Sequence, residues 1–394
     1  MKFDAKSYRI TEDGRVGQVA LIIGIIGLVL TATGYFVDKA QFYHSYLTAF
    51  FFWLSIALGG LFFTMLHHLV GAKWSVVLRR LAENIMICIP LLAIFLIPVL
   101  FGIGELFHWS HPEVVAQDHL LQLKAPYLNV AFFIIRAVFY FVIWVLLARY
   151  LLRLSLAQDG GHTESISKRM RVASAPSMIL FALTITFASF DWLMSLDAHW
   201  YSTIFGVYVF SGSLLAMLAF LMRIVLYLDG VGTLRGIITR EHWHDLGKLI
   251  FAFIVFWGYM AFSQYFLIWY GNIPEETVWF LHRWEHDWQY ISLLIVFGHF
   301  VIPFFVLFPY STKRSRPVML VMTIWILAMH WVDLYWIILP NLHREAVKFS
   351  WIDFAPMLGI GGIFIRFFWS RVRVTPLVPV GDPGLEESKR LVSH

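Results

Sequence analysis

Cysteine is the scarcest residue type in this chain, which has Cys88 and no other cysteine among its 394 residues. One cysteine cannot form an intramolecular disulfide, a zinc knuckle, a cysteine-ligated iron–sulfur cluster or a C-x-x-C-H haem attachment. The sequence also lacks a glycine-rich phosphate loop and a serine-nucleophile elbow. It therefore predicts that the chain holds no haem or metal of its own, and that any redox centre is non-covalent or belongs to a partner.

Charged residues are also scarce. They make up 14% of the chain while 59% is hydrophobic, and soluble domains are about 25% charged. A bilayer core of ~30 Å is crossed by a helix of ~20 apolar residues. Long continuous runs favour helices over barrel strands, which are shorter and alternate. The sequence thus predicts an all-α polytopic membrane protein with about ten transmembrane helices, at 17–36, 46–70, 84–103, 128–150, 172–193, 202–228, 247–271, 288–309, 317–339 and 352–370.

Positive charge is distributed unevenly between alternate loops. Arg136 falls inside a predicted helix, and most of the thirty lysines and arginines fall at the two ends of the chain and in the loops that share their side. Because positively charged loops stay in the cytoplasm, both termini are predicted to be cytoplasmic. The pI of 9.2 then reflects topology and does not indicate nucleic-acid binding. The loops on the opposite side hold only Lys39, Lys124, Arg283, Arg344 and Lys348.

The predicted helices suggest an internal duplication. Pro176 near the start of helix 5 matches Pro317 in helix 9, and each helix then reaches an aspartate beside a tryptophan, at Asp191 and Asp333. Helices 2–5 and 6–9 are therefore predicted to form two four-helix bundles, flanked by helices 1 and 10. The predicted division is a cytoplasmic segment at 1–16, helix 1 and its loop at 17–45, the two bundles at 46–200 and 201–340, a loop and helix 10 at 341–370, and a cytoplasmic tail at 371–394.

Ionisable and polar side chains fall in layers across these helices. A charge at the bilayer centre costs at least ~2.5 kcal/mol, so such groups usually face a partner or a water-filled cavity. His299 lies near mid-membrane. The predicted outer layer, a candidate for quinol binding or proton exit, is Arg136, Asp191, His199, Gln264, His330 and Asp333. The predicted inner layer, with His299 a candidate proton path, is His67, His68, Glu83, Asp245 and Lys248.

Each candidate also has a structural interpretation. His67 and His68 are equally consistent with an interfacial pair, Lys248 with a side chain that extends to the membrane surface, and His299 with a core histidine bonded to a carbonyl. Arg136 lies about two turns inside its helix, too deep for its charge to reach water easily. The sequence predicts that Arg136 and Asp191 are electrostatically coupled on adjacent helices, whether for function or for structure alone.

The stretch SFDWLMSLDAHWYS, residues 189–202, forms an acidic hinge between helices 5 and 6. One hypothesis makes it a water-accessible proton exit, with Asp191 and Asp333 lining the two bundles. In that hypothesis His199 and His330 are relays, since an unperturbed imidazole pKa of ~6.5 allows proton exchange near neutral pH. The alternative is that Asp191 and His199 only cap the ends of helices 5 and 6.

Three stretches carry a resemblance to a known family. They are SFDWLMSLDAHWYSTIFG at 189–206, HDLGKLIFAFIVFWGYMAFSQYFLIWYGNIPEET at 244–277 and MHWVDLYWIILP at 329–340. They resemble the larger quinol-interacting membrane subunits of alternative complex III, in the polysulfide-reductase/nitrite-reductase-D membrane-anchor superfamily. The resemblance covers essentially the whole chain. The short first outer loop and the acidic hinge are similar to the F-type subunit rather than its C-type sister.

This resemblance implies a subunit of a quinol:cytochrome c or related oxidoreductase in the bacterial inner membrane. Menaquinol or ubiquinol would be oxidised near the periplasmic face, and electrons would pass to partner subunits. The implied partners are lipid, a homologous C-type membrane subunit, a molybdopterin-enzyme-like peripheral subunit with iron–sulfur clusters, and c-type cytochrome subunits with haem c. The family also implies proton paths in both membrane subunits. The quinol site lies either in this chain or in its sister.

Two other function classes remain open from the sequence. A secondary transporter would use the same duplication and intramembrane charges, and it would carry substrate without redox partners. A b-type cytochrome needs histidine pairs at equal depth on facing helices. The sequence disfavours it, because His299 and His330 are predicted at different depths and His67 adjoins His68.

Overall fold

The computed structural model describes residues 10, 15–161 and 163–392. Within this part the chain is helical and has no β-strand, and ten helices are long and apolar enough to cross a membrane. The predicted all-α polytopic class is therefore confirmed. Most of the predicted segment 1–16, and His394, lie outside the described residues. The spans are α1 (Val16–Val37), α2 (Lys39–Leu69), α3 (Val76–Phe101), α4 (Val130–Gln158), α5 (Thr163–Trp192), α6 (Phe205–Gly230), α7 (Arg240–Gly271), α8 (Trp288–Leu307), α9 (Arg316–Ile338) and α10 (Trp351–Val374).

The first bundle begins earlier than predicted, since α2 starts at Lys39 rather than at residue 46. Asp38 separates α1 from α2, and its side chain accepts a hydrogen bond from the amide of Gln41 (3.0 Å), which caps the helix. The predicted span left out this first part of the helix because its residues are polar and do not belong to the apolar run. The structure buries it because Gln41 donates to Asp353 of α10 at 2.5 Å.

Two spans are irregular. Prolines Pro90 and Pro98 sit in the first turns of the second and third pieces of α3, where the missing amide hydrogen is tolerated. The span starts at Val76, eight residues before the predicted run, because the apolar window excluded the charged side chains of Arg79 and Arg80. In α8, residues Ile295–Val301 form a π-helix, a geometry found often at functional sites.

The ten spans pack as two adjacent bundles. In the first, α2, α3, α4 and α5 contact one another around a ring, and in the second α6, α7, α8 and α9 do the same. The central helices α2 and α6 pack against each other, and 89% of the most apolar window of each is buried. The same fraction is 28% for α1 and α7. The predicted arrangement of two four-helix bundles is thus the observed one.

Helices α1 and α10 flank the bundles as a closely packed pair that contacts α2. Glycines allow this approach: a Cβ added to Gly27 would lie 2.3 Å from the backbone nitrogen of Gly359, and one added to Gly362 would lie 2.3 Å from that of Gly24. No side chain larger than hydrogen fits at such a crossing without moving a backbone. Trp53 of α2 lies against α10 in the same region.

The spans define two faces of the molecule. We call the face that carries both ends of the chain the terminal face, and the opposite face, which carries residues 193–204, the hinge face. On the terminal face the segment after α10 folds back, and Arg79 pairs with Asp382 at 2.6 Å. The hinge face is covered by two helical segments, at residues 103–124 and at Pro274–Trp284. Both faces are therefore structured.

Candidate functional site

In the first bundle, Asp191 is held by a complete set of donors. Arg136 of α4 contacts it with two nitrogens: Nε donates to Oδ2 and Nη2 to Oδ1, both at 2.8 Å. Tyr140, one turn further along α4, donates its hydroxyl to Oδ2 at 2.8 Å. Asp191 is fully buried, so this pairing compensates a charge that would otherwise be costly. The predicted coupling of Arg136 and Asp191 is confirmed.

Arg136 is itself bound on several sides. Its Nη1 donates to the carbonyl of Tyr127 at 2.8 Å, and its guanidinium lies 3.8 Å from the centre of the Tyr127 ring. Burial raises the pKa of Tyr127, which precedes α4. The arginine is therefore fixed by charge, carbonyl and aromatic ring together, and the pair links α4 to α5 rigidly.

The acidic hinge divides into a buried part and an exposed part. Helix α5 ends at Trp192 with Asp191 inside the bundle, whereas His199 lies at the surface. Its Nε2 is 2.5 Å from Oδ2 of Asp118, and this hydrogen bond lowers the pKa of Asp118. Lys124, whose pKa is lowered by burial, donates to the carbonyl of Ala198 at 2.6 Å. The structure therefore places the side chain of His199 against the segment before α4, and not beside Asp191 or His330.

The capping alternative for the hinge is wrong for α6. The residue before that helix is Ile204, and no side chain caps it. The hinge is instead attached to the second bundle by Ser202, whose hydroxyl donates to Oε1 of the buried Gln264 in α7 at 3.1 Å. Gln264, a residue of the predicted outer layer, thus contacts the hinge through Ser202, and not Asp191 or Asp333.

In the second bundle, Asp333 of α9 has only neutral donors. Its carboxylate accepts hydrogen bonds from the hydroxyl of Tyr208 in α6 and from Nε1 of Trp257 in α7, the latter at 3.3 Å. Asp333 is buried, and no lysine or arginine forms an ion pair with it in the described part of the chain. This carboxyl group therefore has hydrogen bonds without a compensating positive charge.

Trp257 connects this carboxyl to two buried histidines. The ring of His299 in α8 stacks on Trp257, with centroids 4.0 Å apart and an interplanar angle of 15°. A Cβ at Gly212 would touch both the His330 ring (3.4 Å) and Trp257 (3.5 Å). Nε2 of His330 lies 2.9 Å from the hydroxyl of Ser55 in α2. We refer to Tyr208, Trp257, His299, His330 and Asp333 as the bundle-2 cluster.

The two histidines lie at similar depth, which corrects the sequence prediction. His299 is eleven residues from the hinge-face end of α8 and His330 is eight residues from that of α9. At 1.5 Å per residue these are about 16 and 12 Å. The predicted spans, 288–309 and 317–339, already put His299 and His330 eleven and nine residues from the hinge-face ends. The error therefore lay in grouping His330 with the outer residues, and not in the bounds of the helices. Neither nitrogen of His299 has a hydrogen-bond partner among the described residues.

An apolar cavity of about 580 Å³ borders the bundle-2 cluster. Its walls come from α7, α8 and the segment Pro274–Trp284, and Trp257 forms its inner boundary. Ser292 is one of its few polar lining groups, and its hydroxyl accepts from Nε1 of Trp336 at 2.8 Å and donates to the carbonyl of Arg283 at 2.6 Å. The cavity is thus suited to an apolar or amphipathic molecule that reaches Trp257 from the membrane.

Arg283 closes the hinge-face end of this region and forms no ion pair within the described residues. Its nitrogens donate to the carbonyls of Trp279 (2.8 Å), Trp336 (3.1 Å) and Ile337 (2.9 Å). Burial lowers its pKa to about 9. Carbonyls at the end of α9 are favourable partners for a cation, so Arg283 caps that helix and fixes the wall that includes Trp336.

The predicted inner residues divide into separate clusters on the terminal face. Glu83 is buried in α3, where it forms an ion pair with Arg80 (Nε to Oε2, 2.9 Å) and accepts a hydrogen bond from the Ser155 hydroxyl at 2.7 Å. Its placement within an ion-pair network favours a structural role. Asp245 pairs with Lys248 one turn along α7, at 2.6 Å.

His67 and His68 are both buried in the last turn of α2, at the terminal-face end of the helix, a position that is consistent with an interfacial pair. His67 Nδ1 donates to the carbonyl of Phe63 at 2.7 Å, while His68 Nε2 has no partner among the described residues. They line a polar cavity on the terminal face. The structure does not bring them to the bundle-2 cluster.

Several residues of the site were not predicted from the sequence. Tyr140 had a local signal, because it lies four residues after Arg136 and therefore on the same helix face. Tyr208 and Trp257 had none, because both reach Asp333 from other helices. Aromatic residues are so frequent in this chain, at 18%, that none of them is informative alone.

The chain matches no known protein-family model, and no curated protein is similar to it. Within the described residues, no three His, Cys, Asp or Glu side chains come together as metal ligands could. What the bundle-2 cluster can do chemically therefore follows from its own geometry: buried hydrogen-bonding groups lie behind a tryptophan that lines a membrane cavity.

Proposed function

We propose that this chain is an integral-membrane subunit of a quinol:electron-acceptor oxidoreductase, similar to the F-type subunit of alternative complex III. The observation that carries the proposal is the bundle-2 cluster behind the wall of an apolar cavity. The three sequence stretches that resemble the family support it as well, because two of them contain Trp257, His330 and Asp333. The chain would act in the bacterial inner membrane as part of a complex.

The cavity has the properties that a quinol requires. Its volume of about 580 Å³ is within the range of ~300–1,000 Å³ for small-molecule sites. Its apolar walls suit an isoprenoid tail, and Trp257, Phe262 and Phe300 offer ring faces to a flat headgroup. Ser292 offers a hydroxyl at the same wall. Menaquinol or ubiquinol would supply the two electrons and two protons of the reaction.

The residues behind Trp257 are suited to proton transfer. His299 has two ring nitrogens without partners, and a general base must come within hydrogen-bond reach of the proton it removes. Trp257 covers His299, so the indole would turn aside when a headgroup approaches. Asp333 accepts a hydrogen bond from Nε1 of the same indole, and no lysine or arginine pairs with it in the described part of the chain. His299 and Asp333 would receive protons in turn and release them towards the hinge face.

The first bundle would support the complex rather than carry the reaction. Arg136 and Asp191 satisfy each other, which leaves no site for a substrate proton. Electrons would leave this chain for iron–sulfur clusters in a molybdopterin-enzyme-like peripheral subunit, and then for haem c in c-type cytochrome subunits. A homologous C-type membrane subunit would complete the membrane part, and it could hold a second quinol site.

The orientation follows from the charge asymmetry. The terminal face, with most of the positive charge, would be cytoplasmic, and the hinge face would be periplasmic. Quinol protons released at the hinge face would then leave on the periplasmic side. A reporter that is active only outside the cytoplasm, fused after His394, should be inactive. An active reporter would reverse the orientation and with it the proposed direction of proton release.

Co-purification tests the assignment to a complex. A tagged chain extracted in mild detergent should bring down subunits with c-type haem spectra and iron–sulfur signals, and the preparation should reduce cytochrome c when quinol is added. A chain that purifies alone and carries a substrate across vesicles without redox partners would contradict the proposal and support a secondary transporter.

Cavity filling tests the site itself. Ala261 lines the apolar cavity that borders the bundle-2 cluster, and Ala328 lines a separate apolar cavity beside α9. Ala261→Phe should reduce labelling of the chain by a photoreactive quinone at least tenfold, whereas Ala328→Phe should leave labelling unchanged. Equal labelling of both variants and the parent would show that quinone does not use this cavity.

A further inference from the structure

A second cavity, on the terminal face, has the opposite chemistry to the one in the second bundle. It measures about 240 Å³ and lies between the end of α2, the start of α3, helix α5 and the segment after α10. Its lining is rich in nitrogen-bearing side chains: His67, His68, Lys73, Arg79 and Arg171. Asp382 is its one acidic lining residue. The proposed quinol chemistry does not use this cavity.

Two buried side-chain nitrogens that line this cavity have no hydrogen-bond partner among the described residues. They are Nε2 of His68 and Nε of Arg79, and His68 is only 6% exposed. The guanidinium of Arg171 forms no ion pair in the described part of the chain. Buried donors are nearly always satisfied, so these two unsatisfied buried nitrogens on one cavity indicate a bound acceptor. Arg171, which is exposed, adds a positive charge to the same lining.

The charge of the cavity favours an anionic acceptor. Asp382 is already held by Nη1 of Arg79 at 2.6 Å and by the amide of Gly384 at 2.8 Å. Lys73 pairs with Glu387 outside the cavity at 2.7 Å. Arg171 has no ion-pair partner in the described part of the chain, and His68 can donate a hydrogen bond from Nε2 to a ligand in the same cavity.

Gly71 allows Arg171 to take its position. Its φ of +62° is in the left-handed region, which favours glycine. A Cβ at Gly71 would lie 2.3 Å from Nη2 of Arg171. The backbone after α2 therefore forms a wall against which the guanidinium rests, and a larger residue would displace it.

The position of the cavity relates it to the membrane surface. Arg171 is followed in α5 by Val172, which is 64% exposed, and the exposed side of the helix then remains apolar through Ile179. Val70, at the end of α2, is 63% exposed. The cavity thus opens where the lipid-facing surface begins, the level at which phospholipid headgroups lie.

We propose that this cavity binds a phosphate group through Arg171, Arg79 and His68. Arginine is well suited to phosphate because its planar fork makes paired, charge-assisted hydrogen bonds. The phosphate belongs either to an anionic phospholipid headgroup, whose acyl chains would follow Val172 and Val70, or to free phosphate in solution. The site is independent of quinol oxidation.

Native mass spectrometry and thermal unfolding of the purified full chain, with its partner subunits if they co-purify, test this site. One arm adds phosphatidylglycerol in a neutral detergent, and the other adds inorganic phosphate alone. Arg171→Gln removes the uncompensated charge, and Arg169→Gln, an exposed arginine two residues earlier in the same helix, is the matched control. Both variants remove one surface charge, so a general electrostatic effect would be equal in the two.

Retention of one phosphatidylglycerol that is weakened roughly tenfold in Arg171→Gln and unchanged in Arg169→Gln would support a lipid headgroup. Stabilisation by inorganic phosphate with the same dependence on Arg171, but without lipid retention, would support a free phosphate. The proposal is overturned if neither probe binds, or if both variants bind as the parent does. It is also overturned if Arg169→Gln loses as much binding as Arg171→Gln.

Discussion

Asp191 and Asp333 lie on α5 and α9, the last helices of the two bundles, and they are surrounded by different chemistry. Asp191 receives two hydrogen bonds from Arg136 and one from Tyr140. Asp333 receives hydrogen bonds from Tyr208 and a tryptophan, and no cation pairs with it in the described part of the chain. Each of the two four-helix bundles thus buries an acidic side chain, and only Asp191 pairs with a positively charged residue in the described part of the chain.

This difference separates a structural acid from a candidate functional one. A buried ion pair with every oxygen satisfied is costly to disturb and has no free valence for a substrate. A buried carboxyl group with neutral donors can exist with or without its proton, and Trp257 connects it to His299 and to a membrane cavity. We therefore expect substitutions in the first bundle to affect assembly, and those in the second to affect activity.

The largest expected effect is at the ion pair of the first bundle. Arg136→Ala or Asp191→Ala leaves the other charge buried and unpaired, which should destabilise the protein by about 3–5 kcal/mol. The double variant, Arg136→Ala with Asp191→Ala, should recover part of the loss. The measurement is the amount of assembled protein extracted from the membrane, together with its thermal unfolding.

Arg149→Ala is the control for that experiment, because Arg149 is an exposed arginine on the same helix. It should leave assembly unchanged. Strictly additive losses from the two single substitutions in the double variant would show that Arg136 and Asp191 do not act as a pair.

The second expected effect is a loss of activity from the second bundle. Asp333→Asn keeps the shape but cannot carry a proton. Its carbonyl oxygen can accept from Trp257 and its amide can donate to the hydroxyl oxygen of Tyr208, so both contacts can be kept. We expect near-normal assembly and a reduction of quinol-driven electron transfer of at least tenfold, the usual contribution of a proton-transferring group being ~10²–10⁴-fold. Asp191→Asn should show the reverse, with poor assembly. Unchanged quinol oxidation and proton yield in an assembled Asp333→Asn protein would make this carboxyl structural.

A smaller expected effect on stability distinguishes packing from chemistry at His299. His299→Phe keeps a ring stacked on Trp257, and the histidine has no hydrogen bond to lose. Stability should change by no more than ~1.5 kcal/mol, as for other volume-conserving core changes, while the quinol oxidation rate falls. If the rate is retained, His299 is a packing residue, and the route for protons must start elsewhere.

The smallest expected effect is at the exposed part of the hinge. The hydrogen bond with His199 lowers the pKa of Asp118 below its ordinary value of 3.8. The ionised carboxylate is thus favoured in the folded state, and the contact contributes stability above that value and loses it as the pH falls below it. The protection of residues 193–204 against hydrogen exchange, taken relative to the intrinsic exchange rate at each pH, should therefore decrease slightly from about pH 5 to about pH 3.

Asp118→Asn provides the control, since the protection of its hinge relative to the intrinsic exchange rate should be the same at both pH values. Because the pair is exposed, the change should be small and sensitive to salt. A large effect on quinol oxidation from His199→Gln would place the surface histidine in the reaction path. It would therefore contradict a purely structural role for the exposed part of the hinge.

Some of these contacts could be predicted from sequence and others could not. Arg136 was predicted to need a partner because a cation two turns inside a membrane helix is too costly alone, and Asp191 was the nearest acid on the next helix. Tyr140 could have been added from its spacing. The partners of Asp333 could not, because Tyr208 and Trp257 lie on helices that are distant in the sequence.

The sequence by itself determined the class, the ten spans and the two bundles, because lipid requires long apolar helices and composition records them locally. It also determined that buried charges would need partners. Only the tertiary structure decided which partners they have, since this depends on how helices rotate and at what depth they cross. The π-helical turn of α8 and the packing of α6, α7 and α9 bring His299, Trp257 and Asp333 together, and no local pattern in the sequence encodes those rotations.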